Sequence, residues 1–116
     1  MDKRLTGAMG EQYAARYLRA ESYELLAANY RTHTGEIDII ASDGVYICFV
    51  EVKTRRLGGM FNPSDAVDSG KQHRIESCAQ TYMRTRGITM PARYDIIEVF
   101  TEDDRVVKIN HIRGAF

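Results

Sequence analysis

Two short runs constrain this 116-residue chain more than any other feature: G-E-I-D-I-I at residues 35–40 and V-Y-I-C-F-V-E-V-K-T-R at residues 45–55. Both are rich in β-branched and aromatic residues, and Ala41-Ser42-Asp43-Gly44 lies between them, so they predict a β-hairpin. The second run opens with six consecutive apolar residues, 45–50, the pattern of a central strand covered on both faces. Such a strand calls for helices above and below its sheet.

Helical spacing supplies them. Leu5, Ala8, Met9, Tyr13, Tyr17 and Leu18 line one face of a helix over residues 5–20, with Thr6 available as its cap. Ile75, Cys78, Ala79, Tyr82 and Met83 recur at i, i+3, i+4, i+7 and i+8. Ser69-Gly70-Lys71-Gln72 has capping-box spacing before them, and Gly87 stands as the stop. Residues 23–30 read as a strand in preference to a helical extension. Residues 94–100 and 106–112 predict two further strands across the acidic turn Glu102-Asp103-Asp104. Gly58, Gly59 and Asn62-Pro63-Ser64-Asp65 form a loop by composition. The expected architecture is therefore α/β, a mixed central sheet flanked by helices.

A chain of this length buries roughly two thirds of its unfolded surface, enough for one core, so residues 1–116 are read as a single domain. Cys48 and Cys78 sit inside apolar patterns and are expected to be reduced core residues. The apolar run at 45–50 falls far short of the ~20 residues that span a membrane, and no signal-peptide pattern opens the chain. A cytoplasmic location without membrane contact is the expectation.

Chemistry enters where charges interrupt the buried strand. A two-residue turn at Asp43-Gly44 would pair Ser42 with Val45, set Asp38 opposite Phe49, and make Glu51 the diagonal neighbour of Asp38. Alternation then projects Asp38, Glu51 and Lys53 from one face, with the carboxylate Cβ atoms about 7–8 Å apart. The same register sets Glu36 directly opposite Glu51, a like-charge pairing that folding alone does not favour. A divalent cation relieves it, and oxygen ligands suit Mg2+ or Mn2+. Lys53 beside that cation could orient a water or stabilise charge on a phosphorane. Read as structure alone, the same residues form a solvated sheet face with a same-strand ion pair.

Equal numbers of basic and acidic residues, 16 of each, conceal an uneven distribution. Residues 1–52 carry five basic and eight acidic side chains, residues 53–93 eight and three, and residues 94–116 three and five. Twelve of the sixteen cations are arginines, whose planar fork suits phosphate. Arg55, Arg56, Arg74, Arg84, Arg86 and Arg93 are collectively candidate phosphate contacts, and individually read as solvated. Lys71 extends the apolar stripe of its helix, so it either reaches the site or phosphate, or snorkels to solvent. Gln72 lines the site or only closes the capping box. His33, His73 and His111 lack metal-ligand spacing and read as surface or loop residues. No G-x-S-x-G elbow or P-loop is present.

The ordered set G-x-x-G-E (7–11), N-Y-R (29–31), G-E-I-D-I-I, F-V-E-V-K-T-R (49–55), K-Q-x-R (71–74) and the final Ala-Phe resembles the YraN family of bacterial proteins. Within it, D-x(12)-E-V-K resembles the PD-(D/E)xK nuclease superfamily, with Ile37 in place of the proline. That resemblance covers nearly the whole chain and implies a restriction-endonuclease-like αβββαβ core, similar in fold to archaeal Holliday-junction resolvases. It implies Asp38 and Glu51 as metal ligands, Lys53 as the catalytic lysine, and Glu11 as a further acidic site residue on the first helix. Arg55, Arg56, Lys71 and Arg74 become expected nucleic-acid contacts, with DNA ahead of RNA as the partner and a homodimer worth testing. The reading from a different class is a nucleic-acid-binding module or interaction adaptor that keeps the fold without turnover.

Overall fold

The computed structural model describes residues 3–59 and 67–116, so the loop expected at 62–65 lies outside the described residues. Helix α1 (Lys3–Ala20) leads into strands β1 (Glu24–Thr32), β2 (Gly35–Ser42) and β3 (Ile47–Arg56). Helix α2 (Ser69–Thr85), β4 (Ala92–Glu102) and β5 (Arg105–Ile112) follow. The strands form one sheet in the order β1-β2-β3-β4-β5. Only β3 and β4 run parallel, joined through α2; the other neighbours are antiparallel. This is the expected mixed α/β architecture, with the αβββαβ order extended by one edge strand.

Alternation along β3 divides the core in two. Cys48 and Val50 face α1, where they pack with Ala14, Leu18, Tyr23, Ile39, Ala41, Ile97 and Val99. Ile47 and Phe49 face α2 and pack with Ile75, Cys78, Ala79 and Tyr82. Each large side chain buried this way contributes about 1.5–3 kcal/mol, which accounts for the apolar run from Ile47 to Val50; Val45 and Tyr46, expected in the strand, precede it and are exposed. Both cysteines are buried free thiols. Among the described residues no helix is long and apolar enough to cross a membrane.

Local chemistry sets the element ends. Helix α1 is already helical at Lys3, so Thr6 lies inside it rather than capping it. Helix α2 is capped by Asp68, whose Oδ1 accepts from Lys71 N at 2.8 Å; Ser69 is its first helical residue, and Gln72 donates its amide to Val67 O at 3.0 Å instead of closing a capping box. At its far end Ile88 N bonds Met83 O (2.9 Å) and Gly87 N bonds Arg84 O (3.3 Å), with Gly87 at φ +63°, a Schellman closure.

The β2–β3 turn is two residues longer than expected. Asp43 Oδ1 accepts from both Val45 N (2.9 Å) and Tyr46 N (2.8 Å), so Ser42 pairs with Ile47 and Ile39 with Val50. A shift of two preserves the faces, because side chains alternate with period two. It moves Asp38 from opposite Phe49 to opposite Glu51. Glu36 is no longer across from Glu51; it pairs with Arg31 on β1, at 3.3 Å.

Candidate active-site cleft

The β2–β3 ladder stops at Ile39 and Val50, and Asp38 is where it opens. Ile37 packs toward α2 while Ile39 packs toward α1, so alternation breaks between them. Asp38 Oδ2 accepts from Val52 N at 2.8 Å, standing in for the ladder bond that a carbonyl would supply. Irregularities of this kind re-aim a side chain beside a site. Here the break holds the Asp38 carboxylate in the plane of the sheet, between β2 and β3.

Two cavities meet at that carboxylate. A cleft of about 210 Å³ on the α2 side is lined by Gly35, Glu36, Asp38, Glu51, Lys71, Arg74 and Ile75. A groove of about 290 Å³ on the α1 side is lined by Asp38 together with Glu11, Gln12, Asn29 and the small residues Ala8, Ala15 and Ala28. Glu11 is brought in by Gly10, where a Cβ would overlap the Thr54 hydroxyl; glycine lets the helix lie directly against that side chain of β3. Asn29, at φ +51°, sets its side-chain amide between two carboxylates; with the nitrogen assigned to that side, as the two acceptors require, it donates to Glu36 Oε1 (3.3 Å) and Glu11 Oε2 (3.2 Å).

The charges inside the cleft are mutually constrained. Burial, followed by the charge and hydrogen bond of Asp38, pushes the Glu51 carboxyl up to about 8. Its side chain is 11% exposed, and Lys71 Nζ stands 4.0 Å from its Oε1. Lys53 shares the Glu51 face and lies within hydrogen-bonding reach of Lys71; burial and then Lys71 lower its pKa, while Glu51 and Asp38 act in the opposite sense. Burial, Asp38 and Glu36 push Glu11 up. Glu51, with its carboxyl raised, lines the same cleft as Asp38, and this pair of oxygen donors fits Mg2+ or Mn2+ completed by water and phosphate oxygens. Among the described residues no three His, Cys, Asp or Glu side chains converge on one point, so the protein offers two carboxylates rather than a full cage.

The expected nucleic-acid contacts separate. Lys71 and Arg74 line the cleft. Arg55 donates to Glu98 Oε2 at 2.7 Å, and Glu98 also accepts from Asn110 at 2.8 Å. Arg56 lies at the far end of the sheet, in a cavity with Glu102, Asp103 and Asp104. Arg93 is not a surface phosphate contact: it bonds Asp95 (2.9 and 2.8 Å), Tyr23 (2.8 Å) and Asp43 (3.0 Å). Nor is His111 a surface residue. It is 3% exposed, with Nε2 at 2.8 Å from Asp95 Oδ2 and Nδ1 at 3.0 Å from the Tyr17 hydroxyl.

Asn29 is the site residue whose role sequence reasoning missed. It stands in N-Y-R, but nothing in that triplet signals a left-handed backbone or a bridge between two acids.

Comparison with known proteins gives a consistent result. The model of the uncharacterised protein family UPF0102 matches residues 10–99. A UPF0102 protein of Alkaliphilus oremlandii is 44% identical over 119 residues, covering all of both chains. Relatives from Caldanaerobacter subterraneus (40% identity, 100% of this chain and 98% of the relative) and Chlorobaculum tepidum (42%, 95% and 90%) bear the same family description.

Proposed function

Because the chain belongs to the uncharacterised protein family UPF0102, the YraN-like family that its ordered motifs resemble, and that family description states no activity, we propose a function from the cleft itself: a metal-dependent nuclease hydrolysing phosphodiester bonds in DNA. The observation that carries this reading is the Asp38–Glu51 carboxyl pair, lining one cleft with Lys71 and with Lys53 on the Glu51 face. Buried like charges of both signs side by side are costly in a cleft that only supports a fold. They suit one that accepts a cation against the carboxylates and a phosphate against the amines.

In this reading Asp38 and Glu51 hold Mg2+ or Mn2+, which when bound supplies charge neutralisation on the phosphate and acidifies water. Lys53 orients the attacking water and faces the charge that grows on the phosphoryl oxygens. Lys71 and Arg74 hold the backbone phosphate at the mouth of the cleft. Asn29 keeps Glu11 and Glu36 from drifting apart, which preserves the acidic wall behind Asp38.

The test is cleavage of duplex, single-stranded and branched DNA with Mg2+ or Mn2+, comparing wild type with Asp38→Ala and Lys53→Ala. Loss of turnover in both variants, with DNA binding retained, is the expected result. Wild type and variants equally inert, together with salt-sensitive binding indifferent to EDTA and to Asp38→Ala, would replace the nuclease with a binding module.

A further inference from the structure

Helix α2 is asymmetric in charge. Its one acidic residue past the cap, Glu76, faces Tyr94, whose pKa rises first through burial and then through that charge. The opposite flank runs beside the β1–β2 hairpin, and three contacts fix the register. Gly35 lies against Arg74, Thr32 Oγ1 is 2.9 Å from Cys78 Sγ, and Tyr30 meets Tyr82 edge to face at 5.1 Å. That flank carries no acid between the cleft and the helix end. Its outward groups are Arg74 and the hydroxyls of Thr81 and Thr85, whose protons go to helix carbonyls; Thr85 Oγ1 also accepts from Arg86 Nη1 at 3.2 Å, which helps to hold that guanidinium at the end of the flank.

The flank ends at Arg86. Its guanidinium carbon lies 4.1 Å from the Tyr82 ring centroid and 5.5 Å from that of Tyr30. Tyr82 is buried beneath it, while Arg86 itself is exposed, so the cation lies over an aromatic floor and is open to solvent. A planar cation held in this way is a platform on which an unpaired base can stack. Arg86, the C-cap, lies twelve positions beyond Arg74, about 18 Å along the helix axis, or on the order of five stacked nucleotides. A fully paired duplex offers no free base face at that distance.

We propose that the flank from Arg74 to Arg86 is a track for a single-stranded arm leaving the cleft, with Arg86 stacking an unpaired base, so that the substrate class is DNA with a single-stranded segment beside the scissile phosphate. This rests on the nuclease reading and adds the substrate's form.

The experiment measures binding in EDTA, so that it does not depend on turnover. The probes are a duplex with a 3′ or 5′ single-stranded arm and the blunt duplex of the same core, and the proteins are wild type, Arg86→Lys and Arg86→Met. Both variants keep an aliphatic stem over Tyr82, and urea titration verifies that each is folded. The expected result is about a tenfold loss of affinity for the arm-bearing probe in both variants, with less than a twofold change for the blunt duplex. Arg86→Lys should keep the wild-type salt slope while losing the stacking signal of a 2-aminopurine placed three to six nucleotides into the arm. Wild type cleaving DNA while both variants bind the two probes as it does would overturn the track and leave the nuclease standing. Equal loss on both probes would overturn it too, as simple phosphate attraction. Wild type that neither binds nor cleaves any probe would overturn both readings.

Discussion

Gly10 is the point at which the fold and the cleft are most tightly tied, and its substitution by alanine tests that link. A Cβ at position 10 would overlap Thr54 Oγ1 and lie 3.4 Å from Thr54 Cβ, so the hydroxyl alone creates the conflict. Overpacking of this kind costs about 1–3 kcal/mol. Against it, replacing glycine by alanine inside a helix gains about 1 kcal/mol. Gly10→Ala alone should therefore destabilise by about 1 kcal/mol. In a Thr54→Ala background, where the hydroxyl is gone, the same change should stabilise by nearly that amount. The coupling between the two positions is then about 2 kcal/mol, within the range seen for residues in contact. Urea titration of the four proteins reads it directly, because with a slope of 1–3 kcal/mol/M each kcal/mol moves the midpoint by roughly 0.3–1 M. Under the proposed nuclease function, cleavage should follow stability, since a displaced α1 carries Glu11 away from Asn29 and Asp38. A coupling below about 0.5 kcal/mol would mean that α1 has room above Thr54, and the steric account of Gly10-Glu11 would fall.

Two further outcomes follow from the charged groups. Burial alone would push Asp95 up, but hydrogen bonds from His111, Arg93 and Gly114 N outweigh it and hold the carboxyl at about 2. A folded pKa below the ordinary 3.8 gives stability that is present above that value and lost as pH falls toward 2, roughly 2 kcal/mol in all. Asp95→Asn should flatten this part of the stability profile, and an unchanged acid limb in urea midpoints between pH 4 and 2 would refute the assignment. In the cleft, Glu51 is raised to about 8, so at pH 7 a divalent ion must displace its proton. Calorimetric titration with Mn2+ in two buffers of different ionisation enthalpy should show release of close to one proton per ion, abolished in Glu51→Gln; binding without proton release would refute a protonated Glu51 at pH 7.

Periodic features were legible in the sequence because periodicity is local. The stripe Ile75, Cys78, Ala79 and Tyr82 packs as its spacing predicts, and the six-residue apolar run lies in a doubly covered strand from Ile47 onward. The errors arose where two local solutions compete. Asp68 and Ser69 are both good caps one residue apart; the carboxylate reaches Lys71 N, and the capping box is lost. At the hairpin, the Asp43 carboxylate captures two backbone amides and converts the expected two-residue turn into a longer one. That error was harmless to the face of the site, since a slip of two keeps Asp38 and Glu51 together, whereas a slip of one would have separated them.

Charge along the chain is a weaker guide than parity, and the basic middle third shows why. Its eight cations do not form one surface. Lys71 and Arg74 reach the cleft because α2 lies over β2, and Lys53 follows from its place on the Glu51 face. Arg93 belongs to the same segment, but it sits on the α1 side of the sheet, neutralising an aspartate that is wholly buried. Its partner His111 lies 16 residues beyond that aspartate, and His111 in turn meets Tyr17, 94 residues earlier. No window of sequence contains that set, so Arg93 and His111 read as solvated residues and Tyr17 as part of an apolar helix stripe. What selects cations for the cleft is the strand face each occupies and the helix laid across it, and a segment sum averages over both faces. The same reasoning divides Lys53 from its neighbour Arg55: both point to the α2 side, yet Arg55 meets Glu98 on the adjoining strand while Lys53 meets Lys71 on the helix. Burial and the neighbouring Lys71 ammonium outweigh the two carboxylates and disfavour a charged Lys53, and that is the ground on which Lys53, and not Arg55, is proposed for chemistry.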